Sequence, residues 1–312
     1  MGDYLTRSPD QVGGSNMDAV ILAYTFETYA TTRLVEVFSR RRHHATVISP
    51  LDCSLEFSSG HSCLTVKGRA VANPEAAILR CLTYVDNGLP VPRTLETVVA
   101  IHFLNKGAYC LNSPISKFHA VNKLIAGQSL ASAGIPIPRT ALAWNPSELE
   151  CAISVFGTPI VLKAFDGLGG VGMVRCDSVE SARSTFDALH ATGQPFLVQE
   201  YVAESHGQDI RALALGDKIL GAMRCTPRAD DFRSNATRGS QATKENLTTE
   251  MKELAFKASR ALEIELAGVD ILESAQGPLV LEVNSVPGTE RIDAVCGIDS
   301  ASEIGAFLES KV

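Results

Sequence analysis

Gly268-Val-Asp-Ile-Leu-Glu-Ser-Ala-Gln-Gly-Pro-Leu-Val-Leu-Glu-Val-Asn-Ser-Val-Pro-Gly-Thr-Glu290 is the stretch that decides the fold. It reads as a β-hairpin, with two β-prone runs over 269–272 and 278–284 flanking a short polar turn that contains Gly277. Glu282 and Asn284 stand two residues apart, so their side chains leave the same face of a strand. With the turn centred on Gln276, Asp270 lies opposite Glu282, and the three side chains form one cluster of oxygens. Facing carboxylates repel by up to about 1 kcal/mol even on a sheet surface. A divalent cation between them removes that penalty. Two carboxylates with an amide carbonyl, and no His or Cys beside them, suit a hard ion such as Mg²⁺, with positions left for phosphate oxygens and water. The reading depends on register, because a one-residue slip sends Asp270 to the other face. The plainer alternative is an exposed hairpin edge carrying solvated acids.

Working outward, the 312-residue chain can bury a sizeable core and predicts two or three subdomains. Its 45% hydrophobic and 20% charged composition is that of a globular protein. The net charge of −7 argues against a general nucleic-acid binder. No apolar run reaches membrane-spanning length and no signal-peptide pattern opens the sequence, so a cytoplasmic protein without a membrane partner is expected. Residues 1–16 read as a disordered polar tail. The eight cysteines contain no CxxC spacing, which fits reduced structural thiols rather than a disulfide framework or a zinc site. Arg40-Arg41-Arg42-His43-His44 fits a solvated helix C-terminus, where cations complement the dipole.

The chain divides into three expected parts. Residues 17–112 read as a small α/β domain, with strands over 19–24 and 45–49 around a helix over 29–42, a hairpin turning at Lys67-Gly68, and a helix over 93–106 stopped by Gly107. Residues 113–195 form a central subdomain. It opens with a helical pattern over 114–133, followed by a helix that starts at Asn145-Pro146 and one capped by Asp177 with Glu180. Between those last two, a strand ending at Lys163 runs into Asp166-Gly-Leu-Gly-Gly-Val-Gly172. That glycine stretch lacks the Lys-Ser/Thr end of a P-loop and leads into a strand, a layout suited to a flap over phosphates or to a plain glycine-rich turn. Residues 196–312 form the last subdomain. A strand there carries Glu200 and Tyr201, and a hairpin places Asp209 and Arg211 on one face. The long loop over 226–244 concentrates Arg228, Arg233, Asn235 and Arg238, a set suited to binding carboxylate or phosphate.

Taken together, these pieces resemble the ATP-grasp superfamily and, within it, the RimK-type α-L-glutamate ligases. The resemblance is carried by Lys123, Val161-Leu-Lys163, Val198-Gln-Glu-Tyr201, Gly207-Gln-Asp-Ile-Arg211, Asp231-Phe-Arg-Ser-Asn235 with Arg238-Gly239, Ala267-Gly-Val-Asp-Ile-Leu272 and Leu281-Glu-Val-Asn284, in order and spacing. It implies an α/β (α+β) ATP-grasp fold with a central lid and a C-terminal antiparallel sheet. It also implies that Lys123, Lys163, Gly169 and Gly170 contact ATP phosphates, and that Glu200, Tyr201, Asp209 and Arg211 hold the rest of the nucleotide. Asp270, Glu282 and Asn284 would ligate Mg²⁺ or Mn²⁺, and Arg233, Asn235 and Arg238 would lie at the reacting groups. The implied reaction is phosphorylation of a carboxylate by ATP, then attack of an amine on the acyl phosphate to give an amide. After Asn284 the sequence reads Ser-Val-Pro-Gly-Thr-Glu-Arg, where the family more often has Ala-Ser-Pro-Gly-Leu. This departure leaves the substrate open between a protein or peptide receiving glutamate and a small metabolite or natural-product peptide receiving another amino acid. An ATP-grasp phosphotransferase, an inactive nucleotide-binding module and a homo-oligomer also remain open.

Overall fold

A parallel strand needs cover on both faces, and the first strands of the chain are apolar on both. The computed structural model describes residues 16–81, 85–86, 89–90, 94–164, 172–191 and 196–312. The expected tail up to Ser15, together with Gly169 and Gly170, lies outside the described residues. Contacts divide the chain into two compact units. One comprises Met1–Phe118, Gly288–Asp293 and Ile298–Val312, and the other His119–Pro287 and Ala294–Gly297.

In the first unit, β1 (Asp18–Leu22), α1 (Tyr29–Arg40) and β2 (His44–Ile48) form the expected strand–helix–strand, with β1 and β2 parallel. Thr28 caps α1 by accepting from the Thr31 amide, and Leu34, Val37 and Phe38 form its buried face. Next, β3 (Cys53–Ser58), β4 (His61–Val66) and β5 (Arg69–Ala70) make a small antiparallel sheet. Its second turn is Lys67-Gly68, both at positive φ (52° and 77°), as a tight two-residue hairpin requires. The unit continues through β6 (Ala76–Leu79), the short pair β7 (Val85–Asp86) and β8 (Leu89–Pro90), α2 (Thr94–Asn105), β9 (Tyr109–Leu111) and the start of α3 (Pro114–Val121). The main sheet runs β2-β1-β6-β9, all parallel.

The helical pattern expected over 114–133 is two helices. Asn122 takes an extended conformation after α3, and its side chain accepts from the Leu124 and Ile125 amides at 3.0 and 3.1 Å to cap α4 (Lys123–Ser132). An apolar face carries no record of such a break; the cap does.

The second unit holds two antiparallel sheets. In the first, β10 (Thr140–Ala143), α5 (Pro146–Phe156), β11 (Ile160–Ala164), β12 (Met173–Cys176), α6 (Val179–His190) and β13 (Phe196–Glu200) give the strand order β10-β13-β11-β12. Asn145 caps α5 as expected. The cap of α6 is Ser178 rather than Asp177, in a reciprocal box with Ser181, because the Asp177 carboxylate is bound by Arg175 at 2.7 Å. Alternation sorts this sheet: Ile160, Leu162, Phe196 and Val198 pack with Leu149, Ile153 and Phe186 of the helices. Val161, Lys163, Leu197 and Gln199 therefore point to the opposite face.

The second sheet is built from β14 (Asp209–Leu215), β15 (Lys218–Thr226), β16 (Gln241–Lys244), β17 (Leu266–Ser274) and β18 (Gly277–Asn284), in the order β16-β15-β14-β17-β18. Helix α7 (Thr249–Ala261) precedes β17; Met251, Leu254, Ala255 and Ala258 from α7 and Leu130 from α4 pack against Ile210, Ala212, Val269, Ile271, Val280 and Val283. The chain ends with α8 (Glu290–Cys296) and α9 (Ser300–Glu309). Asp299, which caps α9, accepts from Arg33 of α1 at 2.9 Å. Residues 298–312 thus group with the first unit, which differs from the expected division that left 196–312 together.

Candidate active site

The hairpin β17–β18 turns at Ala275-Gln276, since Ser274 pairs with Gly277. A regular ladder from that turn would set Asp270 against Leu281 and send Glu282 to the core face. Instead the register shifts between Asp270 and Ile271: Ile271 pairs with Val280 and Asp270 with Glu282, leaving Leu281 as an extra residue. Val280 and Val283, three apart, both reach the core, while Glu282 and Asn284 leave by the other face. The pairing expected from the sequence is present, produced by a bulge and not by a turn centred on Gln276.

On that face Arg211, opposite Asp270 across the β14–β17 ladder, grips its carboxylate through Nε and Nη2 at 2.7 and 2.6 Å. The Asp270 charge raises the Arg211 pKa further, so the guanidinium is permanently charged. Asn284 Nδ2 lies 3.2 Å from Asp270 Oδ2 and 3.1 Å from Glu282 Oε1. Burial works to push the Glu282 carboxyl up, but Lys123, Arg211 and Lys163 together hold it below the usual range. Asp209 is raised by burial, against its hydrogen bond from the Ser234 hydroxyl and the pull of Arg211. Gly268 lets the strand pass close to the segment after the hairpin: a Cβ there would stand 3.0 Å from Pro287 Cβ and 3.5 Å from Asn284 Cβ.

Facing this cluster is the inner face of the first sheet. Lys163 Nζ donates to Gln199 Oε1 at 2.6 Å, and burial pushes its pKa down to about 8, opposed by Glu282 and Asp270. Glu200 accepts from the Arg139 amide at 2.8 Å and from Arg139 Nε at 2.5 Å. The Arg175 guanidinium lies 4.3 Å from the centre of the Tyr201 ring. Arg233 is forked onto Asp231 at 2.8 and 2.9 Å, which lowers the Asp231 pKa.

One cavity gathers nine of the expected residues in its wall: Lys123, Lys163, Glu200, Tyr201, Asp209, Arg233, Asn235, Asp270 and Glu282. Asn284 opens onto an adjoining cavity that shares Lys123, Lys163 and Glu282. Arg211 lines neither cavity and holds Asp270 from the neighbouring strand. Arg238 is also outside the wall and acts electrostatically on Asp231. Sequence reasoning gave no role to Gln199 or Ser234, which line the cavity and bind Lys163 and Asp209. Both stood inside the quoted motifs, and the same-face spacing of Gln199 with Leu197 was the available signal. Val161, Met173, Leu272 and Leu281 give the wall an apolar part, suited to a flat heterocycle.

The donor set fits Mg²⁺. Asp270 and Glu282 are bridged by one Asn284 amide, an all-oxygen set once that amide turns its carbonyl inward. Among the described residues no group of three or more His, Cys, Asp or Glu could hold a metal, so the two carboxylates and the Asn284 amide are the donors this chain would offer. No helix among the described residues is long and apolar enough to cross a membrane, and the eight cysteines are free thiols.

Two antiparallel sheets facing across a cavity of lysines and carboxylates, in a chain that also carries a parallel α/β unit, define an ATP-grasp ligase, an enzyme class that uses ATP and Mg²⁺. Residues 120–308 match the RimK-like ATP-grasp domain and residues 17–116 the RimK PreATP-grasp domain. The chain belongs to the RimK family. It is 35% identical over 298 residues to a probable alpha-L-glutamate ligase of Xanthomonas axonopodis pv. citri (strain 306), covering 95% of this chain and 98% of that one. It is also 35% identical over 295 residues to a ribosomal protein bS6–L-glutamate ligase of Escherichia coli O81 (strain ED1a), covering 94% and 96%. The ATP-grasp ligase PsnB, solved with a minimal precursor, shares the fold at a TM-score of 0.74 and 19% identity, over 94% of this chain and 99% of that one.

Proposed function

We propose that the enzyme joins the amine of L-glutamate to a carboxylate of a protein or peptide, consuming ATP and releasing ADP and phosphate. The observation that carries this reading is the Asp270–Glu282–Asn284 cluster with the two lysines, Lys123 and Lys163, in the walls of two adjoining cavities. The relatives named for glutamate ligation support the amino acid, and the bS6 ligase supports a protein acceptor in the cytoplasm.

In this reading Lys123 and Lys163 bind phosphate oxygens as compact cations. The apolar wall and Tyr201 hold the base, and Asp209 a ribose hydroxyl. Asp270, Glu282 and Asn284 would hold Mg²⁺, or Mn²⁺ in its place, which would supply positive charge for the phosphate groups. Arg233 stabilises the phosphoryl group as it passes to the acceptor carboxylate. A carboxylate is a poor acylating agent until its oxygen becomes a leaving group. Once phosphorylated, its carbonyl carbon is attacked by the glutamate amine, the C–N bond forms and phosphate leaves with the C–O bonding pair. Asn235 and Arg238 orient the amino acid, Arg238 through its charge on the loop. Excluding water protects the acyl phosphate from hydrolysis.

The test is product identity by mass spectrometry, with ATP, Mg²⁺, a panel of amino acids, and both ribosomal-protein tails and short peptides. A product heavier by a glutamyl residue, with one ADP and one phosphate per amide, is expected. A stable phosphorylated product without an amide overturns the ligase reading, and an amide to another amino acid overturns glutamate alone.

A further inference from the structure

Thr140 lies directly opposite Gln199 across the β10–β13 ladder. Its hydroxyl donates to the Pro138 carbonyl at 2.9 Å. A hydroxyl has one proton, so with that proton committed Thr140 meets Gln199 only as an acceptor. Gln199 Nε2 donates to Thr140 Oγ1 at 2.9 Å, and its carbonyl is thereby turned the other way, onto Lys163 Nζ at 2.6 Å. A reversed amide would set its NH₂ against the ammonium and its carbonyl against an oxygen without a proton to give. Gln199 and Lys163 are 9% and 7% exposed, so water offers little replacement for either contact.

We propose that Gln199, oriented by Thr140, is the positioning residue that fixes the Lys163 ammonium for the nucleotide phosphates; this rests on the reading of Lys163 given above. A lysine head sits on a flexible four-carbon stem, and its three N–H bonds turn together. With one bond held by the Gln199 carbonyl, the other two have set directions. Burial disfavours the Lys163 charge, and a carbonyl acceptor at 2.6 Å offsets part of that cost. The relay is one-way, from Pro138 through Thr140 and Gln199 to Lys163, so the edge strand β10 sets the direction of the Lys163 ammonium through Gln199.

The experiment measures ADP affinity with Mg²⁺ by calorimetry, and KM for ATP and for glutamate, in Gln199→Met, Thr140→Val, Thr140→Ser, Lys163→Met and the Lys163→Met/Gln199→Met double variant. Gln199→Met keeps the volume and removes the acceptor. It is expected to raise Kd for ADP and KM for ATP about ten- to a hundredfold, the worth of a hydrogen bond to a charged group, with KM for glutamate within about twofold. Thr140→Val is expected to weaken ADP about threefold or more, and Thr140→Ser, which keeps the hydroxyl, to restore it. The double variant should bind ADP no worse than Lys163→Met alone, because Gln199 acts through that lysine. Additive losses, or wild-type ADP affinity in a folded Gln199→Met protein, overturn the relay. Unchanged affinity in Lys163→Met overturns the reading of Lys163 itself, and with it the relay.

Discussion

Glu282 shows how a single carboxylate can be kept charged in a half-buried place. Lys123, Arg211 and Lys163 outweigh burial there, and Asn284 Nδ2 lies 3.1 Å from Oε1. Glu282→Gln keeps the shape and the hydrogen-bonding capacity while removing the charge. Turnover is expected to fall about a hundredfold or more, with the melting temperature nearly unchanged. ADP formation at the wild-type rate in a well-folded Glu282→Gln protein would sink the metal assignment. Gly268 makes a subtler case. A methyl group there must stand 3.0 Å from Pro287 Cβ, tighter than an ordinary contact, and 3.5 Å from Asn284 Cβ. Gly268→Ala is therefore expected to fold but to displace Asn284, raising the Mg²⁺ concentration needed for half-maximal activity several-fold. An unchanged Mg²⁺ titration would show that the segment after the hairpin yields without cost.

Among the elements, the bulge in β18 gives the sharpest prediction. Leu281 is the extra residue between Val280 and Glu282, and its side chain lines the cavity. Deleting it leaves one residue against one, keeps Asp270 opposite Glu282, and preserves the alternation of core and site faces. The deletion variant is expected to fold and to retain its Mg²⁺ dependence. It should lose about tenfold in KM for ATP with the apolar wall it removes, since a buried leucine is worth about 1.5 kcal/mol or more. Loss of the Mg²⁺ response in a folded deletion variant would show that the bulge itself shapes the cluster. This element also marks what the sequence can disclose. The same-face spacing of Glu282 and Asn284 was legible because a strand alternates by two. The turn position and the bulge were not legible, and two register assumptions cancelled to give the right partner. The break at Asn122 was hidden because α3 and α4 both continue the apolar pattern, and the cap of α6 because Asp177 and Ser178 are both good caps until Arg175 takes the first. Arg211 stood in a recognised motif, yet only the ladder register shows that it faces Asp270.

For the whole molecule the question is whether ATP cleavage waits for the acceptor and the amino acid. Lys123, Lys163 and Arg233 line the cavity whether or not an acceptor is present, so ATP is expected to bind alone. Transfer needs a carboxylate in line with the γ-phosphate, and release of phosphate needs an amine to capture the acyl phosphate before water does. Phosphate release is therefore expected to be slow with ATP alone, to rise little with the acceptor peptide, and to rise steeply when glutamate is added. Rapid release without glutamate would mean that the acyl phosphate is open to water. The arginines of the loop should divide in this assay according to their places. Arg233 lies in the cavity wall with its guanidinium fixed by Asp231, so Arg233→Ala should lose most turnover at saturating substrates. Asp231→Asn, which leaves the guanidinium in place but weakens its fork, should lose about tenfold. Arg238 stands outside the wall, so Arg238→Ala should raise KM for glutamate and leave the slow ATP-only rate unchanged. If Arg238→Ala instead matched Arg233→Ala in turnover with glutamate KM unaltered, the loop would have to close further over the cavity during the reaction, bringing both guanidinium groups to the phosphoryl.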